Sequence, residues 1–423
     1  MNVCGAQPAY WPVFVFPKED ELLSSWLVRL SQRLRLKVQT FCSLAFAGTS
    51  VWNRDIDKLA PEGLLQVLAS RTPVSFLRVQ QCGLKDYEGR VYLKHNSQGN
   101  TKWILPLGIY HRTRKSFGLL FCPMCLQKDG EQPYFRKSWR LSFSVVCPTC
   151  HIYLHDRCPQ CDSPVMFFRG ELGHRNQGPE KPISTCSGCG FDLAFSEASR
   201  APVRLVRMQK KLYSILGHGW KKEVIYSHLY FDVLGQVLKI LLSNSPKCKV
   251  VQNDLSLRFG CNLPSQQERD CPGFDFLPLS TRTALLRQAC WLLEGDCKNL
   301  IFICTYHGLT SSDLLRDMKQ APFWYDELVT RNFFVSNANR TFLAPAFRRE
   351  ELGREKAPVN GLPGPKRKYG RGYICKRCDS DWMILNGKRS GNIRIKCRNC
   401  GAGQTVAPGA PVLKLVELKT RAF

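Results

Sequence analysis

Apolar positions recur with a helical period over much of the chain. Between residues 19 and 36, Leu22, Leu23, Trp26, Leu27, Leu30 and Leu34 fall on one face, which predicts an opening helix. Glu19, Asp20 and Glu21 would then sit in its first turn, where the helix dipole favours acid. Residues 61–69 read as a second helix with Pro61 at its start. The turn Ser70-Arg71-Thr72-Pro73 leads to a third over 74–81. Helix, tight turn and helix suit a helix-turn-helix unit, and equally a plain helical bundle. The pattern returns at 203–216, 224–242 and 281–293. Residues 311–319, a break at Pro322 and 323–331 suit a second helix-turn-helix, a winged helix or plain packing.

Between 116 and 200 the helical period gives way to short aromatic runs. Tyr134-Phe135 and Trp139-Arg140-Leu141-Ser142-Phe143 suit short strands and turns. The stretch 361–372 is rich in Gly and Pro and basic, so an extended linker is expected there. Beyond it, Ile393-Arg394-Ile395-Lys396 alternates like a strand, and 412–418 is another candidate. The expected fold class is mainly α with small zinc-stapled α+β modules. Its divisions are an N-terminal helical domain over 1–115, a double Cys4 zinc-finger module over 116–200 and a second helical domain over 201–345. The linker over 346–372 and a zinc ribbon over 373–423 complete it.

The zinc assignment rests on spacing. Twelve of the 21 cysteines form six Cys-x-x-Cys pairs. They are Cys122/Cys125, Cys147/Cys150, Cys158/Cys161, Cys186/Cys189, Cys375/Cys378 and Cys397/Cys400. Taken two by two, they enclose 21, 24 and 18 residues, the spacing of tetrahedral Cys4 zinc sites. One pair grips from a tight turn, and the fold must return the second. Gly190 and Gly401 follow the last Cys of their sites, where a positive φ is easily reached. Three structural Zn²⁺ are expected, at 122/125/147/150, 158/161/186/189 and 375/378/397/400. An interleaved order, with the first pair meeting the third, also fits the seven residues between Cys150 and Cys158. The other nine cysteines lack ligand spacing and read mostly as buried thiols.

A disulfide framework belongs to short secreted chains. Here the apolar run 9–16 is interrupted by Pro12 and has no basic stretch before it. The run 224–242 contains His228, Asp232, Gln236 and Lys239, so it reads as a soluble helix and not a membrane span. A reducing, cytoplasmic location follows as an expectation.

Charge narrows the partners. With 61 basic and 34 acidic residues the formal net charge is +27, an excess that implies a polyanion. It is dense towards the C-terminus, at Lys366, Arg367, Lys368, Arg371, Lys376, Arg377, Lys388, Arg389, Arg394, Lys396 and Arg398, with Asp379 and Asp381 the only acids over 366–400. These cations are the candidate contacts to double-stranded DNA; docking on a protein is the competing reading. No nucleotide-binding loop, no H-E-x-x-H and no two-metal carboxylate set is evident. Four thiolates leave zinc no open position. No catalytic residue is therefore assigned.

The order of parts resembles the TniQ/TnsD family. The opening Pro17-Lys18-Glu19-Asp20-Glu21-Leu22-Leu23-Ser24-Ser25-Trp26-Leu27-Val28-Arg29-Leu30 is similar to that family's first helix. Phe121-Cys122-Pro123-Met124-Cys125-Leu126, Tyr134-Phe135-Arg136-Lys137-Ser138-Trp139, Val146-Cys147-Pro148-Thr149-Cys150-His151 and Arg157-Cys158-Pro159-Gln160-Cys161 are close to its zinc-finger signature. The likeness covers about 15–195. Where the family usually has Cys-Pro-x-His, Cys150 stands here with His151 after it, so either could be the ligand. The resemblance implies a bacterial, non-enzymatic target-selection protein of a TnsABC-type transposition system. Its partners would be target DNA and an AAA+ ATPase of the TnsC type. A Cascade-bound adaptor carrying guide RNA and a zinc-containing transcription regulator are the alternatives. Glu21, Trp26 and Arg29 are candidates for partner contact or a homodimer interface. The plain reading is that Trp26 packs in the core with Leu22, Leu23 and Leu30.

Overall fold

The computed structural model describes residues 10–110, 113–169, 181–220, 224, 226–333, 375–377, 383–389, 392–397 and 402–406. The chain divides into two units, Met1–Phe334 and Val335–Phe423.

The first unit is mostly helical. Its N-terminal part holds α1 (Leu23–Arg33), α2 (Val38–Ala45), α3 (Ile56–Leu59), α4 (Glu62–Arg71) and α5 (Phe76–Gln80). A short ribbon, β1 (Ile109–Tyr110) with β2 (Thr113–Arg114), precedes α6 (Pro123–Lys128). The C-terminal part holds α7 (Val203–His218), α8 (Ser227–Leu242), α9 (Pro246–Phe259), α10 (Gln266–Arg269), α11 (Leu279–Leu292), α12 (Lys298–Tyr306), α13 (Ser311–Leu314) and α14 (Phe323–Phe333). Among the described residues no helix is long and apolar enough to cross a membrane.

Local chemistry sets several boundaries. The opening helix begins at Leu23, not at Glu19. Asp20 takes a positive φ of 54°, and its carboxylate accepts from the Ser138 amide at 3.2 Å. Asp20 and Glu21 are held by Ser138 and Arg29, Glu19 is exposed, and none of the three is helical. α4 follows Pro61 as expected, and α5 is capped by the Ser75 hydroxyl, which accepts from the Arg78 amide at 3.3 Å. α8 starts at Ser227 rather than 224. α13 ends at Leu314, short of the expected 319, with Asp317 at φ 62°. α2, α3, α6, α9, α10 and α12 were not predicted. α4 packs on α5 and α13 on α14.

One continuous apolar cluster runs through this unit from Leu22 to Phe333. The expected divisions at 115/116 and 200/201 fall inside it. Trp103 makes edge contacts with Phe143, Phe231 and Phe274 at 5.8 Å each, and Phe143 stacks on Phe231 at 4.8 Å. Residues from all three expected divisions meet there. Cys42, Cys82, Cys248, Cys290, Cys297 and Cys304 are buried, as expected of thiols without ligand spacing.

The second unit contains an antiparallel sheet in the order β3 (Met383–Arg389), β4 (Asn392–Cys397), β5 (Gly403–Val406). β4 contains the predicted strand at 393–396. Residues 412–418 lie outside the described residues.

Candidate metal centres

Local turns create the first sulfur cluster. Cys122 caps α6: its Sγ accepts from the Cys125 amide at 3.4 Å, and Pro123 occupies the first helical turn. The second pair lies on a hairpin-like knuckle. The Cys147 amide donates to the Ile152 carbonyl at 2.8 Å, and the His151 amide returns to the Cys147 carbonyl at 2.9 Å. The two pairs meet because Phe121 and His155 exchange both backbone hydrogen bonds, each at 2.9 Å. Phe121 precedes the first pair and His155 follows the second, so one bridge closes the loop.

The second cluster repeats this plan with two knuckles. The Cys158 amide reaches the Ser163 carbonyl at 3.0 Å, and the Cys186 amide reaches the Phe191 carbonyl at 2.7 Å. In three knuckles the residue after the second Cys is left-handed: His151 at φ 59°, Asp162 at 55° and Gly190 at 80°. Each donates its amide to the carbonyl of the knuckle's first Cys. Gly188 is needed for a different reason. A Cβ there would meet the Ser163 hydroxyl at 2.9 Å and the Cys161 sulfur at 3.3 Å.

Each quartet gathers its sulfurs within 4.8 Å of one another, and the pairs are consecutive, not interleaved. Cys125 Sγ lies 3.6 Å from both Cys147 Sγ and Cys150 Sγ. Cys158–Cys189 and Cys161–Cys186 are separated by 3.7 and 3.6 Å. A tetrahedron with Zn–S of about 2.3 Å has sulfur–sulfur edges of about 3.8 Å. The donors therefore fit zinc in type, number and spacing. Cys150 brings its sulfur to the first group, while His151 is exposed at the turn. Bound there, zinc would replace the thiol protons and tie distant segments together.

The environments differ. In the first group Cys122 and Cys147 are buried and belong to the apolar core. Hydrogen bonds from Cys122 and Cys125 hold the Cys147 thiol far below the usual range, and hydrogen bonds with Cys125 and then Cys147 raise Cys122. Lys128 Nζ approaches Cys150 Sγ at 3.8 Å. In the second group Cys161 and Cys189 are exposed. A hydrogen bond from Ser163 lowers Cys161 to about 7, whereas burial pushes Cys158 up to about 12.

The segment between the pairs of the first group binds both helical parts. Toward the N-terminus, Arg140 donates to Asp55 at 2.6 Å, Lys137 to Asp86 at 2.6 Å, and the Phe135 amide to the Ser25 hydroxyl at 3.0 Å. Toward the C-terminus, Gln209 Oε1 accepts from the Val145 amide at 2.9 Å, and the Arg282 guanidinium donates to the Ser142 carbonyl. These links join residues far apart in sequence and carry no local signal.

Glu21, Trp26 and Arg29 are placed inward. Trp26 is fully buried and donates its indole N–H to the Val15 carbonyl at 2.8 Å. Arg29 pairs with Glu21 at 2.7 Å, with both side chains almost wholly covered.

In the second unit Cys375 and Cys397 are buried, but Cys378 and Cys400 lie outside the described residues. Lys376, Arg377, Arg394 and Lys396 are exposed. Arg394 and Lys396 share one face of β4, and Ile395 is buried on the other. Lys388 and Arg389 lie on β3. Lys366, Arg367, Lys368, Arg371 and Arg398 fall outside the described residues.

The family model TniQ matches residues 12–154. The matched stretch contains the first quartet and ends before Cys158. No curated protein matches the chain.

Proposed function

We propose, from a TniQ match that supports membership of the TniQ/TnsD family, that this chain selects target sites for a TnsABC-type DNA transposition system. An association with transposition is the coarse reading. The finer one is that the chain binds target DNA and recruits an AAA+ ATPase of the TnsC type, without chemistry of its own. The observation that carries it is the TniQ match over a body in which opening helix and zinc-capable knuckle share one core. The net charge of +27 supports a nucleic-acid partner.

The C-terminal cations stay part of this proposal, with the third Cys quartet as a third zinc site. A basic arm can follow phosphates while a small zinc module sets its position. Deleting 366–423 should weaken duplex binding and flatten its salt dependence, by about 0.9 in log–log slope for each lost phosphate contact.

The deciding experiment is a pull-down of labelled duplex DNA by the purified chain, with the ATPase, with and without Cascade subunits. DNA retained by the chain alone, and ATPase retained only with the chain, is the expected result. DNA retained only with Cascade would replace the direct reading by the adaptor. DNA retained without any ATPase recruitment would favour a transcription regulator.

A further inference from the structure

α7 carries Arg204, Arg207, Lys210 and Lys211 and no acidic residue over its 16 positions. All four cations are exposed. Among the described residues, none of them enters an ion pair. Arg204 with Arg207 and Arg207 with Lys211 stand three and four positions apart, so like charges face each other on the helix surface. A solvated helix face ordinarily mixes both signs. This one repels itself, and a polyanion would relieve it.

The opposite face is fixed. Leu205, Val206, Gln209, Leu212, Ile215 and Leu216 are buried. Gln209 Oε1 holds the Val145 and Val146 amides at 2.9 and 3.4 Å, and the Tyr213 hydroxyl meets the Ser144 hydroxyl at 2.7 Å. Just before the helix, the Ala201 amide donates to the His151 carbonyl at 3.0 Å. α7 is thus anchored on both sides of the Cys147–Cys150 knuckle. A zinc ion in that quartet would hold a row of cations in a set orientation.

We propose that this face of α7 is a phosphate-backbone contact surface for duplex DNA. It rests on the DNA-binding reading above and adds a surface to it that is separate from the C-terminal cations. At about 1.5 Å of rise per residue, Arg204 and Lys211 stand about 10 Å apart along a straight helix, enough to meet successive phosphates. Between Arg204 and Lys211 the face presents no aromatic ring on which unpaired bases could stack; the exposed His218 lies two turns beyond. It lacks an apolar anchor at its centre of the kind protein interfaces use; Val203 lies at its end. Its side chains suit positioning rather than base reading.

The test is a full-length variant with Arg204→Gln, Arg207→Gln, Lys210→Gln and Lys211→Gln. Circular dichroism and zinc content verify its fold. Binding to a labelled 40-base-pair duplex is measured from low to moderate salt. A control variant neutralises four exposed cations elsewhere, Lys239, Lys249, Lys298 and Lys319. The expected result is a log–log salt slope flatter by about 2–4 than wild type, with about 0.9 for each lost phosphate contact. The control should shift far less. Equal slopes for wild type and the α7 variant would overturn the surface and leave the DNA-binding reading standing. Equal effects of both variants would reduce it to net charge and also overturn it. A variant that keeps its duplex slope but loses the ATPase or an RNA would assign the face to that partner instead. A wild-type chain that does not bind duplex at all would remove both the surface and the direct reading.

Discussion

Arg140 Nη2 donates to Asp55 Oδ2 at 2.6 Å across 85 residues of sequence. Arg140 lies between the two Cys pairs of the first quartet, and Asp55 caps α3. The same guanidinium approaches Asp57 at 3.5 Å, and Asp57 holds the amide and hydroxyl of Ser24 at 2.7 and 2.8 Å. Burial pushes both carboxylates up. For Asp55 burial is the largest single influence, but the charge and hydrogen bond of Arg140, the charge of Arg114 and the Lys58 amide together outweigh it and leave the carboxyl below the ordinary range, while Asp57 stays raised by burial and by its neighbour Asp55. Arg140→Ala would leave the buried Asp57 and the largely covered Asp55 facing each other. A loss of about 3–5 kcal/mol is expected in urea unfolding. Arg140→Lys keeps the charge but not the fork, and should fall between. An Arg140→Ala variant within about 1 kcal/mol of wild type would show that the pair does not hold zinc knuckle and helices together.

The Glu21–Arg29 pair requires a different design. Burial raises Glu21, and Arg29 opposes that shift. Truncating Arg29 alone leaves a covered acid without its partner, which destabilises by about 3–5 kcal/mol. Lost recruitment in Arg29→Ala would therefore say nothing of a contact. The joint change Glu21→Gln with Arg29→Met removes both charges and should restore much of the stability, read as a coupling in a double-mutant cycle. Recruitment by the stable double variant then decides whether these side chains matter to a partner.

Asp275 should give the fold a pH dependence. Burial raises its carboxyl to about 6, against hydrogen bonds that include one from the Trp103 amide at 3.2 Å. Between its unfolded value near 3.9 and about 6, the folded state binds more protons than the unfolded one. Stability must then fall as pH rises through that window. Two pKa units set a ceiling of about 3 kcal/mol; the residue is only half-buried, so about 2 kcal/mol is expected. Wild type compared with Asp275→Asn in urea, from pH 4 to pH 7, isolates this contribution. Parallel curves across that range would refute it.

What the sequence showed and what it hid follow from locality. Cys-x-x-Cys spacing and Pro123 act within one turn, so both quartets were legible, and so was the positive φ at Gly190. His151 and Asp162 adopt the same backbone without glycine. Their conformation comes from the knuckle's hydrogen bonds, which residue type does not reveal. The pairing order needed the Phe121–His155 bridge. Glu19, Asp20 and Glu21 suited a first helical turn, but Ser138 and Arg29 claim Asp20 and Glu21 for tertiary contacts. α7 was visible as an amphipathic helix. That its cations form an unpaired face became visible only once Gln209, a polar residue, was found buried on the other side.

The two quartets should release metal in a fixed order. Cys161 and Cys189 are exposed, so a chelator can reach the second centre directly. The first centre has Cys122 and Cys147 in the core beside Phe121 and Val146, which are fully buried. Its other two sulfurs, on Cys125 and Cys150, are partly covered, so a chelator can approach from that side, but full release is expected to need the bridge between Phe121 and His155 to open, and with it part of the apolar cluster. Since metal binding and folding are coupled in such sites, its release should track unfolding. Mixing the zinc-loaded chain with excess chelator should give a fast phase without change in circular dichroism, then a slow phase that coincides with loss of helix. Cys189→Ser should remove one zinc equivalent from the fast phase and leave the melt cooperative. Cys147→Ser should remove the slow phase and abolish the cooperative melt of residues 12–154. A fast amplitude unchanged in Cys189→Ser would mean that exposure does not control release. A Cys147→Ser chain that still melts cooperatively would mean that the first quartet does not staple the two helical parts.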